Sequence, residues 1–209
     1  MRTLIDIDHW DRKEHFLFFS QFEEPFFGFT VSIDCTLAYK MAQQKGQSFF
    51  LYYLYQSLKA ANTIENFRYR LIDGQVYLFE RTHASPTISR PNGTFGFAHI
   101  TYSQNEKEFY AGALNEIKRV QQSTRLMPAV SSENTIHFSA IPWVNFTSLS
   151  HARRFSYPDS SPKISFGKMT ENNGIKTMPV SIHVHHGLMD GYHVGLFIDT
   201  FQQLMNLSS

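Results

Sequence analysis

Apolar residues at Phe109, Ala113, Leu114, Ile117 and Val120 recur every three or four positions, which predicts an amphipathic helix over Glu106 to Ser123. The same period in Val194, Phe197, Ile198, Phe201, Leu204 and Met205 predicts a closing helix from Asp190 to about Met205. Two more helices are read upstream. One covers Thr36 to Gln44, with Asp34 as N-cap and Gly46 as terminator. The other is strongly apolar, opens at Ser48 and runs to about Asn62. A polar helical turn is read over His9 to Phe16. Strand patterning covers Phe27 to Ile33, Thr135 to Ser139, Ile164 to Met169 and Met178 to His186. Phe67 to Ile72 and Gln75 to Glu80 flank Asp73-Gly74 and read as a hairpin. Helices and strands mix without a regular βαβα rhythm, which implies an α+β fold with a mixed or largely antiparallel sheet.

No repeat, low-complexity tract or Gly/Ser linker divides the chain, so residues 1–209 are read as a single domain. The stretch His151 to Pro162, with two prolines and three serines near its end, reads as a surface loop.

Composition narrows the partners. Nineteen basic against eighteen acidic residues leave a formal charge of +1, without the electrostatic footprint of a nucleic-acid or anionic-membrane binder. Hydrophobic residues make up 42% and charged ones 18%, enough apolar material for a sizeable core. Twenty Phe and ten Tyr demand large buried surfaces: a core, a subunit interface or an apolar pocket. Cys35 is the single cysteine, which excludes an intrachain disulfide and a multi-cysteine metal site. The acid-interrupted N-terminus lacks a signal core, and Ser48 to Leu58 is too short to span a bilayer. The expectation is a soluble cytoplasmic protein.

Reactive side chains concentrate in His183-Val184-His185-His186-Gly187-Leu188-Met189-Asp190-Gly191-Tyr192-His193. On an alternating strand, His183 and His185 face one side while Val184 and His186 face the other. Asp190 stands where an N-cap of the last helix belongs. Three readings fit: ordinary polar residues on a sheet, a metal site, or general acid–base catalysis by one imidazole. Metal binding suffers from the lack of a nearby Cys or Glu to complete a ligand set.

His185-His186-Gly187-Leu188-Met189-Asp190-Gly191 resembles the H-H-x-x-x-D-G signature of the chloramphenicol acetyltransferase superfamily. Three further segments agree in order and separation. Trp10-Asp11-Arg12-Lys13-Glu14-His15-Phe16 is similar to the family's W-x-R-x-E-H-F start, Phe67-Arg68-Tyr69-Arg70 to its F-R-x-x segment, and Ser139-Ala140-Ile141-Pro142-Trp143-Val144-Asn145-Phe146 to its S-A-x-P-W-V-x-F segment. The resemblance runs from about residue 6 to residue 206.

The resemblance implies a two-layer α/β sandwich and an O-acetyltransferase that inactivates an antibiotic, chloramphenicol, with acetyl-CoA as co-substrate and no tightly bound cofactor or metal. It implies His186 as general base, Ser139 as oxyanion donor, and Asp190 with Arg12 as a buried ion pair shaping the catalytic loop. Phe18, Phe19, Phe29, Met127, His151 and Ser165 fall at acceptor positions, and Lys168 and Trp143 at coenzyme positions. It also implies a homotrimer with each site between two subunits, one giving the His and the next much of an apolar acceptor slot. Departures are visible: Phe19 stands where a Tyr is usual, Met127 for a Phe, His151 for a Leu, Ser165 for a Thr, Ser48 for a Lys and Met169 for an aromatic. The segment Glu23 to Phe27 is about two residues longer than its counterpart. A related acyltransferase with another hydroxylated acceptor, a non-catalytic ligand-binding trimer and a metal-binding module are the competing readings.

Overall fold

The computed structural model describes residues 1–127, 130, 132–153 and 159–207. Its main sheet follows from strands with one apolar and one polar face. Strands β2 (Phe26–Asp34), β5 (His83–Ser89), β6 (Phe95–Phe97), β7 (Thr135–Ala140), β8 (Lys163–Phe166), β9 (Thr170–Asn172) and β10 (Ile175–His185) form a seven-stranded sheet in the order β2-β10-β8-β7-β5-β6, with β9 also on β10. The β5–β7 and β7–β8 pairs are parallel and the others antiparallel, so the sheet is mixed, as expected. A separate antiparallel sheet joins β1 (Arg2–Leu4), β4 (Gln75–Phe79) and β3 (Tyr69–Ile72), with Asp73 and Gly74 both at positive φ in the hairpin turn.

Helices α2 (Thr36–Gln44), α3 (Phe49–Thr63), α4 (Glu106–Gln122) and α5 (Gly191–Met205) follow the predicted spans closely. Their apolar stripes and the inner sheet face (Ala84, Ile136, Phe138, Ile164, Phe166, Val180, Ile182 and Val184) form one core, in which Phe166 meets Tyr53 and Phe201. No helix among the described residues is long and apolar enough to cross a membrane.

Several local readings are corrected. Cys35, not Asp34, is the N-cap of α2, although the Asp34 carboxylate still accepts from Thr36 N–H at 2.8 Å. Phe67 and Arg68 lie in a 3₁₀ turn (Glu65–Arg68), because Phe67 is wholly buried and stacks on Phe197. Strand β8 stops at Phe166: Gly167 bonds Pro179 and Lys168 bonds Val144, and a Cβ at Gly167 would strike both Pro179 and Val144. The N-terminal turn splits into a 3₁₀ turn (Ile7–His9) and α1 (Lys13–Phe19). The expected loop His151 to Pro162 includes residues 154–158, which lie outside the described residues; its far end is buried, with the Ser160 hydroxyl accepting from Leu71 N–H at 2.8 Å. Strands β1, β5, β6 and β9 were not anticipated.

Candidate active site

Strand β10 delivers His186 to the start of a tight turn. Leu188 and Met189 N–H both bond back to the His185 carbonyl, and His185 Nδ1 accepts from Gly187 N–H at 3.1 Å. The ring of His185 and the α1 backbone at Phe16 leave little room for a Cβ at Gly187, so a glycine suits that position. His185 is buried, which pushes its pKa down to about 4, with the Arg153 charge acting the same way. It is a neutral structural ring.

His186 is pinned through its main chain. Its N–H donates to the Pro25 carbonyl at 2.8 Å, and its carbonyl accepts from Arg12 Nη2 at 3.2 Å. The imidazole stacks on Phe19 and packs at 4.3 Å against Phe27, and its Nδ1 is buried without a partner among the described residues. The residue as a whole is only partly buried, and nearby Phe18, Phe22 and Phe29 are about half exposed. The Glu23–Phe27 segment thus has a structural role: it supplies both Pro25 and Phe27.

Arg12 Nη1 also donates to Asp190 Oδ2 at 2.9 Å. The expected buried pair is only partly buried, with 13% and 34% of the side chains exposed, because Asp190 sits at the open N-terminus of α5. There it also caps the helix, accepting from Tyr192 N–H at 3.0 Å. Partial burial would raise the Asp190 pKa, but the Arg12 hydrogen bond and the neighbouring His193 and Arg12 charges hold it at about 2.

Ser139 is elsewhere. It lies on β7 in register with Ser165 of β8, which pairs with Ser181 of β10 and so with Thr30 of β2. The next row across the sheet is Ser85, His137, Lys163, His183 and Gly28. Both rows belong to the polar outer face, opposite the helices, whereas His186 shares parity with Val184 on the inner face. One chain therefore does not bring His186 and Ser139 together. The predicted residues fall into two groups: Arg12, Phe18, Phe19, Phe29, His186 and Asp190 near the end of β10, and Ser139, His151 and Ser165 on the outer face. Met127 lines a cleft of about 560 Å³ bordering that face, together with Arg70, Phe97, His99, His137, Arg153 and Asp159. Lys168 and Trp143 are exposed beyond the ends of β8 and β7.

The outer face carries charge that sequence reasoning passed over. Lys163 is buried and ion-paired with Asp159, and it donates to the Ser161 carbonyl at 3.2 Å. Arg153 donates to Glu24 at 2.7 Å while lying 3.6 Å over the Phe26 ring. The His151 and His183 rings meet edge-on at 4.9 Å, and the His183 ring occupies the space a Cβ at Gly28 would take. Burial, helped by neighbouring cations, pushes His137 and His151 down to about 4. The His-x-Ser and Lys-x-Ser spacings at 137–139 and 163–165 were the available signal, since alternate residues share a strand face. Among the described residues, no three His, Cys, Asp or Glu side chains are grouped to hold a metal ion.

The chain thus carries a mixed sheet with helices packed on one face, ending in a His-His turn tied by an Arg–Asp pair. The comparisons give the particular family. A family model described as chloramphenicol acetyltransferase matches residues 1–202. Chloramphenicol acetyltransferase 3 of Escherichia coli is 30% identical over 208 residues, 98% of this chain and 97% of that protein. A chloramphenicol acetyltransferase of Staphylococcus aureus is 29% identical over 203 residues, covering 96% and 94%. A solved chloramphenicol acetyltransferase structure superposes with a TM-score of 0.90 at 32% identity, covering 99% of this chain and all of that one. The chain belongs to the chloramphenicol acetyltransferase family.

Proposed function

We propose that the protein transfers an acetyl group from acetyl-CoA to a hydroxyl of a small molecule, with chloramphenicol the first acceptor to test. The observation that carries this reading is the fixed imidazole of His186, pinned through both main-chain groups, flanked by two aromatic rings and left partly open. A free hydroxyl is a poor nucleophile at neutral pH, and a positioned base contributes about 10²–10⁴-fold. His186 Nε2 takes the acceptor's proton as its oxygen bonds to the thioester carbonyl carbon. The carbonyl oxygen becomes an oxyanion, to which the Ser139 hydroxyl donates. Collapse breaks the carbon–sulfur bond, and the imidazolium returns the proton to the departing thiolate of CoA. Arg12 and Asp190 hold the turn. Lys168 and Trp143 are the proposed coenzyme contacts, with Lys168 opposite phosphate.

His186 and Ser139 lie on different faces of the sheet, so the reading requires a second copy of the chain. The proposed assembly is a homotrimer in the cytoplasm, with His186 of one subunit facing Ser139, Ser165, His151 and Met127 of the next. Thiol release from acetyl-CoA, with and without chloramphenicol, tests the reaction. Release that depends on an added alcohol and disappears in His186→Ala is expected; alcohol-dependent release undiminished in that variant refutes the assignment.

A further inference from the structure

An apolar acceptor slot, as the family resemblance implies, would present alkyl and aromatic side chains. The outer sheet face of this chain does not. Ser85, His137, Lys163 and His183 stand in one row across four strands, with Ser139, Ser165 and Ser181 in the next. The 560 Å³ cleft beside these rows has a mixed lining, with Asp159, Arg153 and His137 on one hand and Leu71, Phe97 and Met127 on the other.

Two observations point from this surface to a ligand. The first is unpaired hydrogen-bonding capacity: Ser165 Oγ, in a residue with no exposed surface, and His151 Nε2 are both buried without a partner among the described residues. Buried polar atoms in native proteins are nearly always satisfied, so these atoms suit a polar ligand or bound water. The second is charge balance. Lys163 is matched by Asp159, Arg153 by Glu24, and the buried Arg70 guanidinium donates through Nη1 and Nη2 to the Phe67, Tyr69 and Thr135 carbonyls, its Nε left without a partner among the described residues. The cations on this wall are thus already engaged and do not recruit an anion. Burial keeps His137, His151 and His183 neutral at pH 7, and a neutral imidazole offers one donor and one acceptor. A hydroxyl offers the same pair.

We infer that the acceptor of this chain is a neutral, hydroxyl-rich molecule, a polyol or a sugar ring, recognised by the row His137, Lys163 and His183 with His151 and Ser165. The inference rests on the acetyl-transfer reading and names its substrate class. An acceptor with few hydroxyls on a flat apolar body, covering this wall, would remove water from these groups without replacing its hydrogen bonds, and polar groups left unpaired in this way discriminate strongly against such a ligand.

The test compares thiol release by the native protein on glucose, ribitol and uridine with release on chloramphenicol and benzyl alcohol. At least one hydroxyl-rich acceptor is expected to exceed chloramphenicol tenfold in kcat/KM. In a Lys163→Met/Asp159→Asn variant, which keeps the wall neutral and makes it less polar, that ratio is expected to fall at least tenfold. Should circular dichroism show that this variant does not fold, His137→Leu reads the same ratio without touching the ion pair. Preference of the native protein for chloramphenicol or benzyl alcohol overturns the inference alone, as does a ratio that the substitutions leave unchanged. Silence with every alcohol overturns the acetyl-transfer reading and this inference with it.

Discussion

The imidazole of His186 lies flat on the ring of Phe19, with centroids 3.8 Å apart and planes 6° from parallel. Phe27 closes a second side at 4.3 Å, so the ring has little freedom about its side-chain bonds. An aromatic pair of this kind is worth about 0.5–1.5 kcal/mol beyond area burial, and each 1.4 kcal/mol corresponds to about tenfold in rate. Replacing Phe19 by Leu is therefore expected to lower kcat by roughly three- to tenfold while the KM for acetyl-CoA holds, and Phe19→Tyr is expected to keep the native rate. Steady-state kinetics decide this. An unchanged kcat in Phe19→Leu removes any orienting role for the stack.

Removal of the imidazole itself has a larger effect. His186→Ala is expected to lower kcat by about 10²–10⁴-fold, the usual contribution of a positioned base. Packing around the site is mostly carried by Phe19 and Phe27, and the main-chain bonds to Pro25 and Arg12 survive the substitution. Far-ultraviolet circular dichroism and the elution volume on gel filtration should match the native protein. A variant that loses activity only because it unfolds would leave the base unsupported.

How far the sequence carried these conclusions depends on the kind of signal. Periodicity located α4 and α5 almost to the residue, because their buried stripes (Phe109, Ala113 and Val120; Val194, Phe197 and Phe201) face a single core. Strand β5 escaped notice because Pro86 and its polar neighbours argue against a sheet interior; there the Pro86 carbonyl accepts from Ala98 N–H instead. The hairpin between β9 and β10 had a cue that went unread, Asn173-Gly174, both at positive φ. At the site, the motif named His186, Arg12 and Asp190, which the structure brings together. The pairing of Lys163 with Asp159, and the distribution of His186 and Ser139 over two sheet faces, depend on strand order, which local pattern does not encode.

Asp190 ties acid stability to the turn that follows β10. Its folded-state pKa of about 2 lies below the ordinary 3.8, so the carboxylate stabilises the fold above pH 3.8 and loses that contribution as pH falls through about 2. With 34% of the side chain exposed, solvent screening reduces the effect to about 1 kcal/mol. Asp190→Asn can still accept from Tyr192 N–H and is expected to lose this acid-range component while lowering kcat through a looser Arg12 contact. Urea unfolding of both proteins between pH 4 and pH 2 checks it: parallel curves would show that Asp190 contributes nothing there.

A second loss of stability begins at higher pH. His185 is 3% exposed, and burial lowers its pKa from 6.5 to about 4, so it binds a proton more readily unfolded than folded. Stability from this group is complete above pH 6.5 and falls as pH drops towards 4, at up to about 1.4 kcal/mol per pH unit. His83, His137 and His151 are shifted in the same direction. The unfolding free energy is expected to decline between pH 6.5 and pH 4, before the Asp190 window opens. Proton uptake on unfolding at pH 5, measured by calorimetry in buffers of different ionisation enthalpy, should approach several protons; uptake near zero would contradict neutral buried imidazoles.

The separation of His186 from Ser139 within one chain makes a prediction that no single-site variant can test. Ser139→Ala removes an oxyanion donor and is expected to cost about 10²–10³-fold; His186→Ala removes the base. Each pure variant is then nearly inactive. If the site forms between copies, unfolding the two variants together and refolding them creates assemblies in which a native His186, from the Ser139→Ala chain, meets a native Ser139, from the His186→Ala chain. Such an interface is chemically complete, so the mixed preparation should recover a substantial fraction of native activity, whereas each variant refolded alone should not. The recovered rate should depend on the mixing ratio and vanish at either pure end. Absence of recovery, with mixed assemblies verified by mass spectrometry, would mean that the two residues never serve the same reacting centre.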